Sequence, residues 1–270
     1  MVIDCHTHLS KCGHEGKTFA QVRDCLLREM DEARIALSFV YPDSEPGTVV
    51  SDLETTREIV LGCQRLLMLG TICVPRIDFN GIARLNAMAE RGEIIGVKLY
   101  PGFEEFFPNE IGCRPIYELC LRYDMPVVFH SGETMGQAWR EKYNHPHEIA
   151  KAAQQFPTLR MVVAHFAQPH LTACGEVVLA HPNVYADISG LAHPSVIHTC
   201  GRQAIERILE QIAIQQPEKL LYGTDWPLCD VGEHLHLIAS LAISDSCKDL
   251  ILGGNAATVF GVGPAGRERG

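Results

Sequence analysis

The first eight residues, MVIDCHTH, place Asp4, His6 and His8 at alternate positions. Imidazole and carboxylate are the donor types that hold a divalent transition metal. On a β-strand, alternate side chains share one face, so these three would face together while Ile3, Cys5 and Thr7 face the other way. A polar stripe on a solvent-facing edge is the ordinary alternative, but a histidine pair beside an apolar start is less usual there. Further along, single ionisable residues close five apolar runs: Lys98 in GVKLYPG, His130 in PVVFHSGE, His165 in MVVAHFAQ, Asp187 in VYADISG and Asp225 in LYGTDWP. Taken one at a time, such a histidine packs in a core or loop, and such an aspartate caps the next helix. Brought to one mouth, they would form a metal centre with acid–base groups beside it.

The elements that must position them repeat with a rhythm. After VIDCHTH, short apolar, β-branched runs recur at 35–41, 69–74, 94–100, 125–131, 160–166, 183–189 and 219–225. Between them lie stretches with helical spacing. FAQVRDCLLREMDEA sets Phe19, Val22, Cys25, Leu26 and Met30 on one face, and RQAIERILEQIAI does the same with Ile205, Ile208, Leu209 and Ile212. SDLETTREIV opens with Ser51 and Glu54 in capping-box spacing. From His8 to Asp225 the strand-to-strand steps average about 31 residues, one βα unit each. Unbroken apolar strands suit a parallel sheet covered by helices, and eight units predict a (β/α)8 barrel, the TIM-barrel fold, with its site at the C-terminal strand ends. A doubly wound open sheet is the runner-up. It would favour a glycine-rich phosphate loop after the first strand, and HLSKCG is not one. The G-x-G-x-x-G at Gly261, Gly263 and Gly266 contains a proline and has no helix after it. Neither G-x-x-x-x-G-K nor G-x-S-x-G occurs, which weakens nucleotide and serine-hydrolase readings. Without a Pro-, Gly- or Ser-rich linker, one domain over 1–262 is expected, followed by a flexible tail at 263–270.

Composition narrows the partners. A formal net charge of −10 disfavours nucleic acid or an anionic membrane as the main partner. The 46% hydrophobic and 21% charged content is that of a soluble globular protein. No signal peptide and no apolar run of roughly eighteen residues is present, so a cytoplasmic protein is expected. The 11 cysteines are odd in number and never spaced C-x-x-C, and several, such as Cys73 and Cys120, sit in apolar runs as small core residues. Reduced thiols are the expectation. Cys12 and His14, in SKCGHEG, are near enough to the first strand to approach a metal, although loop residues of these types are usually incidental.

The ordered set of D-x-H-x-H on the first strand, then His130, His165 and Asp225 at later strand ends, resembles the amidohydrolase superfamily. More narrowly it is similar to the amidohydrolase-related branch of metal-dependent hydrolases and nonoxidative decarboxylases, which includes aminocarboxymuconate-semialdehyde decarboxylase. The likeness runs from the first strand to NAATVFG near residue 260. It implies that His6, His8, His130 and Asp225 bind a divalent metal, with His165 either binding a second metal or holding water and substrate. In binuclear members a fourth-strand lysine is carboxylated and bridges two metals, and Lys98 stands at that position. Single-metal members do not need the bridge, and Lys98 would then offer an ammonium to Asp187 or to a substrate carboxylate.

Three histidines and an aspartate with an open position suit Zn²⁺, with Mn²⁺ or Fe²⁺ compatible. Such an ion lowers the pKa of a bound water from 15.7 toward ~7, and Asp225 is the natural group to take the water's proton and deliver it to the leaving group. Hydrolysis of a small amide, lactone or ester is the expected activity, and nonoxidative decarboxylation of a small carboxylic acid is the alternative. A non-catalytic metal-binding barrel is the third reading, and an intact Asp225 speaks against it. His145 and His147 in NHPHE are expected in a loop before a helix, and Tyr100 and Trp226 either line the pocket or pack. The expected partner is a small-molecule substrate, and a homo-oligomer is compatible with the sequence.

Overall fold

The computed structural model describes residues 1–263 and the backbone of residues 266–267. Among them, the barrel strands are β1 (Val2–Thr7), β2 (Ile35–Val40), β3 (Leu66–Thr71), β4 (Ile94–Leu99), β5 (Val127–Phe129), β6 (Met161–Val163), β7 (Val184–Asp187) and β8 (Leu220–Leu221). They lie parallel in sequence order. Backbone bonds then close β8 onto β1: Cys5 N–H donates to the Tyr222 carbonyl at 3.0 Å, Asp225 N–H to that of His6 at 2.9 Å, and His8 N–H to that of Trp226 at 2.8 Å. The result is the expected (β/α)8 barrel. Helices fill the connections, beginning with α1 (Phe19–Glu32), α2 (Leu53–Val60), α3 (Phe79–Glu90), α4 (Arg114–Arg122), α5 (Pro146–Gln155) and α6 (Leu171–Ala180).

Two packed layers follow from the alternation. Ile3, Cys5, Leu37, Phe39, Leu69, Ile95, Val128, Val162 and Leu221 form one cluster. Residues from so many strands meet only inside the barrel. The second cluster joins the opposite strand faces to the helices, including the Val22, Cys25, Leu26 and Met30 face of α1.

Three local expectations are corrected. The third strand runs over 66–71, not 69–74, because LLMLGTICV is apolar at nearly every position and carries no phase of its own. Its register comes from pairing with Ser38–Val40, and the stretch from Val74 turns into a 3₁₀ segment around Pro75. The cap of α2 is Asp52, whose carboxylate accepts from Thr55 N–H, while Ser51 Oγ bonds Thr56 Oγ1 at 2.6 Å. In β1, the pairing with β2 slips between Asp4 and Thr7, a bulge that breaks strict alternation. Cys5 therefore packs inside the barrel, yet the ring of the adjacent His6 also faces inward, its centroid 4.1 Å from that of Tyr41.

Asp4 does not join the two histidines. Its carboxylate accepts from Thr224 N–H (3.0 Å), Thr224 Oγ1 (2.7 Å) and His6 N–H (3.2 Å), fastening β1 to the segment after β8. Burial pushes this carboxyl up to about 7, with the Thr224 and His6 donors pulling it back. Of the tail expected at 263–270, Gly266–Arg267 pairs antiparallel with Val262–Gly263, and the rest after Gly263 lies outside the described residues. Among the described residues no helix is long and apolar enough to cross a membrane.

Candidate metal centre

Every candidate ligand sits at or just beyond a strand's C-terminal end, where the backbone leaves the ladder and can be aimed. His165 (φ 58°) and Asp225 (φ 69°) both adopt the left-handed region. Non-glycine residues hold such conformations at a cost of about 1–3 kcal/mol, and only where their surroundings fix them. Here His165 N–H donates to Asp187 Oδ1 at 2.9 Å and Asp225 N–H to the His6 carbonyl. Gly132, two residues beyond His130, has φ +85°, and a Cβ there would lie 2.0 Å from the Gln168 carbonyl oxygen. This close crossing lets the loops after β5 and β6 bring His130 and His165 together, with ring centroids 5.0 Å apart.

One close donor group is His6, His8 and Asp225, whose ligand atoms all lie within 4.8 Å of one another. Asp225 Oδ1 is 3.5 Å from His8 Nε2 and 3.8 Å from His6 Nε2. Two ligands each ~2.0–2.1 Å from one tetrahedral ion lie about 3.4 Å apart, so modest closure completes the triad. Both histidines are oriented by their other nitrogen. His6 Nδ1 donates to Asp187 Oδ2 at 2.8 Å, and His8 Nδ1 to the Tyr41 carbonyl at 2.8 Å. His6 Nε2 is buried and has no hydrogen-bond partner among the described residues. A buried, oriented lone pair beside a carboxylate fits a cation.

His165 belongs to a second close group with His6 and Asp187. His130 stands at the same mouth but falls in neither group. Its Nε2 donates to the Glu133 carbonyl at 3.0 Å, which leaves Nδ1 with the lone pair, and its ring lies 4.5 Å from that of Phe103. Burial, and next the Lys98 charge, lower His8 to about 4 and His130 to about 3 and hold His6 well below the usual range. Burial, then His6 and His130, do the same for His165. These rings are thus neutral at pH 7, the state that ligates.

Lys98 is fully buried. Its Nζ has no hydrogen-bond partner among the described residues and lies over the rings of Tyr41 (5.1 Å) and Tyr100 (5.3 Å). The suggested pairing with Asp187 does not form, since the Asp187 oxygens are occupied by His6, His165 and Ser189. Burial lowers the Lys98 ammonium and raises the Asp225 carboxyl, while their mutual attraction favours the charged form of each.

The remaining expectations resolve locally. Tyr100 Oη donates to the Pro42 carbonyl at 2.7 Å and Trp226 is 2% exposed, so both pack. Cys12 and His14 join no close donor group among the described residues. His145 caps α5 by accepting from His147 N–H. Two neighbours of the centre went unread in the sequence, Tyr41 against His6 and Ser189 beside Asp187. Ser189 follows Asp187 by two residues, the one local signal that would have found it.

An amidohydrolase family model matches residues 3–262. The chain belongs to this amidohydrolase family. Among relatives of this amidohydrolase, an L-fucono-1,5-lactonase from Burkholderia ambifaria is 30% identical over 125 residues, covering 40% of this chain and 41% of the lactonase. The match thus spans about two fifths of that relative's length. Solved structures extend the likeness over the barrel. An uncharacterized TIM-barrel protein from Bordetella bronchiseptica aligns with a TM-score of 0.77 at 18% identity, covering 96% of this chain and 97% of the other. A dihydroxybenzoic acid decarboxylase from Polaromonas sp. JS666, with bound manganese and the inhibitor 2-nitroresorcinol, aligns at 0.67 and 15% identity, covering 96% of each chain.

Proposed function

We propose that this amidohydrolase is a metal-dependent hydrolase that opens a small lactone, ester or amide. The observation that carries the reading is the unpartnered, buried Nε2 of His6, aimed with His8 Nε2 at the Asp225 carboxylate. The lactonase relative favours a cyclic ester among the substrates. His6, His8 and Asp225 would hold the ion, with His130 and His165 at the same mouth. Zn²⁺ suits a nitrogen-rich donor set, and Mn²⁺ or Fe²⁺ suits it too. When bound, the ion supplies Lewis-acid polarisation of a carbonyl and a more acidic water.

The chain's own groups do the rest. Asp225, through the carboxylate oxygen that does not face the two histidines, accepts the proton lost by the attacking water and returns it to the departing oxygen or nitrogen, yielding a hydroxy acid from a lactone. His165, neutral and 8% exposed at the mouth, orients water or the substrate carbonyl. With 11 unpaired cysteines, the protein suits a reducing compartment, and we place it in the cytoplasm.

Nonoxidative decarboxylation of a small carboxylic acid is the second reading, favoured by the fold likeness to the manganese-containing Polaromonas decarboxylase. A panel of lactones, esters, amides and aromatic acids, scored for ring-opened or cleaved product and for released CO₂, separates the two. Hydrolysis without CO₂ is expected. CO₂ release from an aromatic acid, with every ester and lactone untouched, would replace the first reading by the second.

The structure also bears on a bridging Lys98. Its Nζ is fully buried beside two aromatic rings, with no carboxylate or imidazole within hydrogen-bonding reach among the described residues. Metal content is therefore expected near one ion per chain, retained in Lys98→Ala and indifferent to bicarbonate during reconstitution. Two ions per chain that require both Lys98 and bicarbonate would assign the bridging role instead.

A further inference from the structure

Asp187 is the acceptor on which the inner side of the centre is built. Its Oδ1 receives the backbone N–H groups of His165 (2.9 Å) and Ser189 (3.1 Å), and its Oδ2 faces His6 Nδ1 at 2.8 Å. The hydroxyl of Ser189 lies 2.5 Å from the same Oδ1, 2.8 Å from His165 Nδ1 and 3.2 Å from His6 Nδ1. All of these groups are buried. In such a place the hydrogens can be counted, because each donor must find an acceptor.

Two backbone N–H groups already donate to Oδ1, so that oxygen is an acceptor. A serine hydroxyl 2.5 Å from it gives its only hydrogen there. Having done so, Ser189 Oγ has only lone pairs left, and His165 Nδ1 at 2.8 Å must carry a hydrogen to meet it. His6 Nδ1, facing both Oδ2 and this oxygen, must carry one as well. In each neutral ring the lone pair then resides on Nε2.

We infer that Ser189 is a positioning residue that, with Asp187, sets the tautomer of His165 and braces that of His6, turning both Nε2 lone pairs toward the mouth. One carboxylate thus orients two histidines, one directly and one through a hydroxyl relay. Without the hydroxyl, His165 Nδ1–H would face a void, and the ring would be free to exchange its hydrogen to Nε2, where it can neither ligate nor accept a proton. The outer histidine, His8, is independent, since its Nδ1 donates to the Tyr41 carbonyl. The use made of the lone pairs rests on the metal-centre reading above. The tautomer itself is read with neither metal nor substrate present, so the two can fail separately.

The test is long-range ¹H–¹⁵N correlation of the metal-free protein labelled at histidine, with signals assigned through His165→Gln and His6→Gln. In the unaltered chain both rings should show hydrogen on Nδ1. Ser189→Ala should shift His165 toward the Nε2–H form and leave His8 as it was, and Ser189→Thr, which keeps the hydroxyl, should restore the original pattern. An unchanged His8 signal reports that the mouth is still folded. Should Ser189→Ala fail to fold, the tautomers of the unaltered chain and of Ser189→Thr still decide. His165 carrying its hydrogen on Nε2 in the unaltered chain, or a His165 signal indifferent to Ser189→Ala, would overturn the inference. Metal affinity in Ser189→Ala should fall on the order of 10–100-fold, the range for lost ligand-orienting bonds. Equal affinity in all three chains would sever the serine from the metal centre.

Discussion

Replacing Asp225 by Asn should lower turnover by on the order of 10²-fold or more, the range for loss of a general acid–base group. Asparagine keeps the shape and one oxygen ligand, but its amide cannot accept a proton. The local frame should survive, because Asp225 is held through its backbone, with its N–H on the His6 carbonyl. Metal content should therefore fall much less than activity. In the aspartate, burial raises the carboxyl and Lys98 opposes the rise. A divalent cation at Oδ1 would favour the ionised form far more strongly. Metal uptake near neutral pH should accordingly release a proton in the unaltered chain and release less in Asp225→Asn. Near-full turnover by Asp225→Asn on a verified hydrolytic substrate would remove the proton-transfer role from Asp225 and leave His165 as the base.

The barrel was legible because its signal is a repeat. Each unit carries an apolar run and a helical face, and errors in one unit do not propagate to the next. What the sequence could not supply was phase. LLMLGTICV is apolar at nearly every position, so β3 could start at either end, and only pairing to Ser38–Val40 fixed it. The same limit applies to D-x-H-x-H. Alternation puts Asp4 beside the histidines, but the bulge after Asp4 separates them and gives Asp4 to Thr224. A bulge leaves little local trace, since it depends on how two strands register. The ionisable residues at strand ends were visible one by one, because Lys98, His130, His165, Asp187 and Asp225 each interrupt an apolar context. Their division of labour was not. That Asp187 serves His6 and His165, not Lys98, follows from hydrogen bonds spanning 181 and 22 residues of chain. Ser189 has only its spacing from Asp187 to mark it, and Tyr41 is a common residue type with no pattern, singled out by its contact with His6 alone.

Replacing His6 and His8 together by Ala should remove nearly all bound metal, and with it all measurable turnover. These two rings supply two of the three donors in the group with Asp225, and His6 also belongs to the second close group, so the double change leaves neither group complete. What would remain is Asp225 with His130 and His165, whose rings are turned by different partners, Glu133 and Ser189. Donors not oriented toward one point hold a divalent ion weakly, so dialysis should strip the double variant and leave the unaltered chain loaded. Stability has to be followed in parallel. His6 is fully buried against Tyr41, and truncating a buried ring leaves a cavity worth about 2–4 kcal/mol. His8 is 13% exposed and should contribute less. Far-UV circular dichroism and Tm therefore accompany the elemental analysis. Burial also keeps both rings neutral in the unaltered chain, with His8 lowered to about 4. A histidine with a depressed folded pKa lends stability that is present above about pH 6.5 and lost as pH falls toward its folded value. The metal-free unaltered chain should thus lose stability on acidification between about pH 6.5 and 4. The double variant should show a shallower loss over the same window, having given up two of the groups responsible. Metal content equal to that of the unaltered chain, in a double variant that remains folded, would move the metal centre away from the first strand altogether.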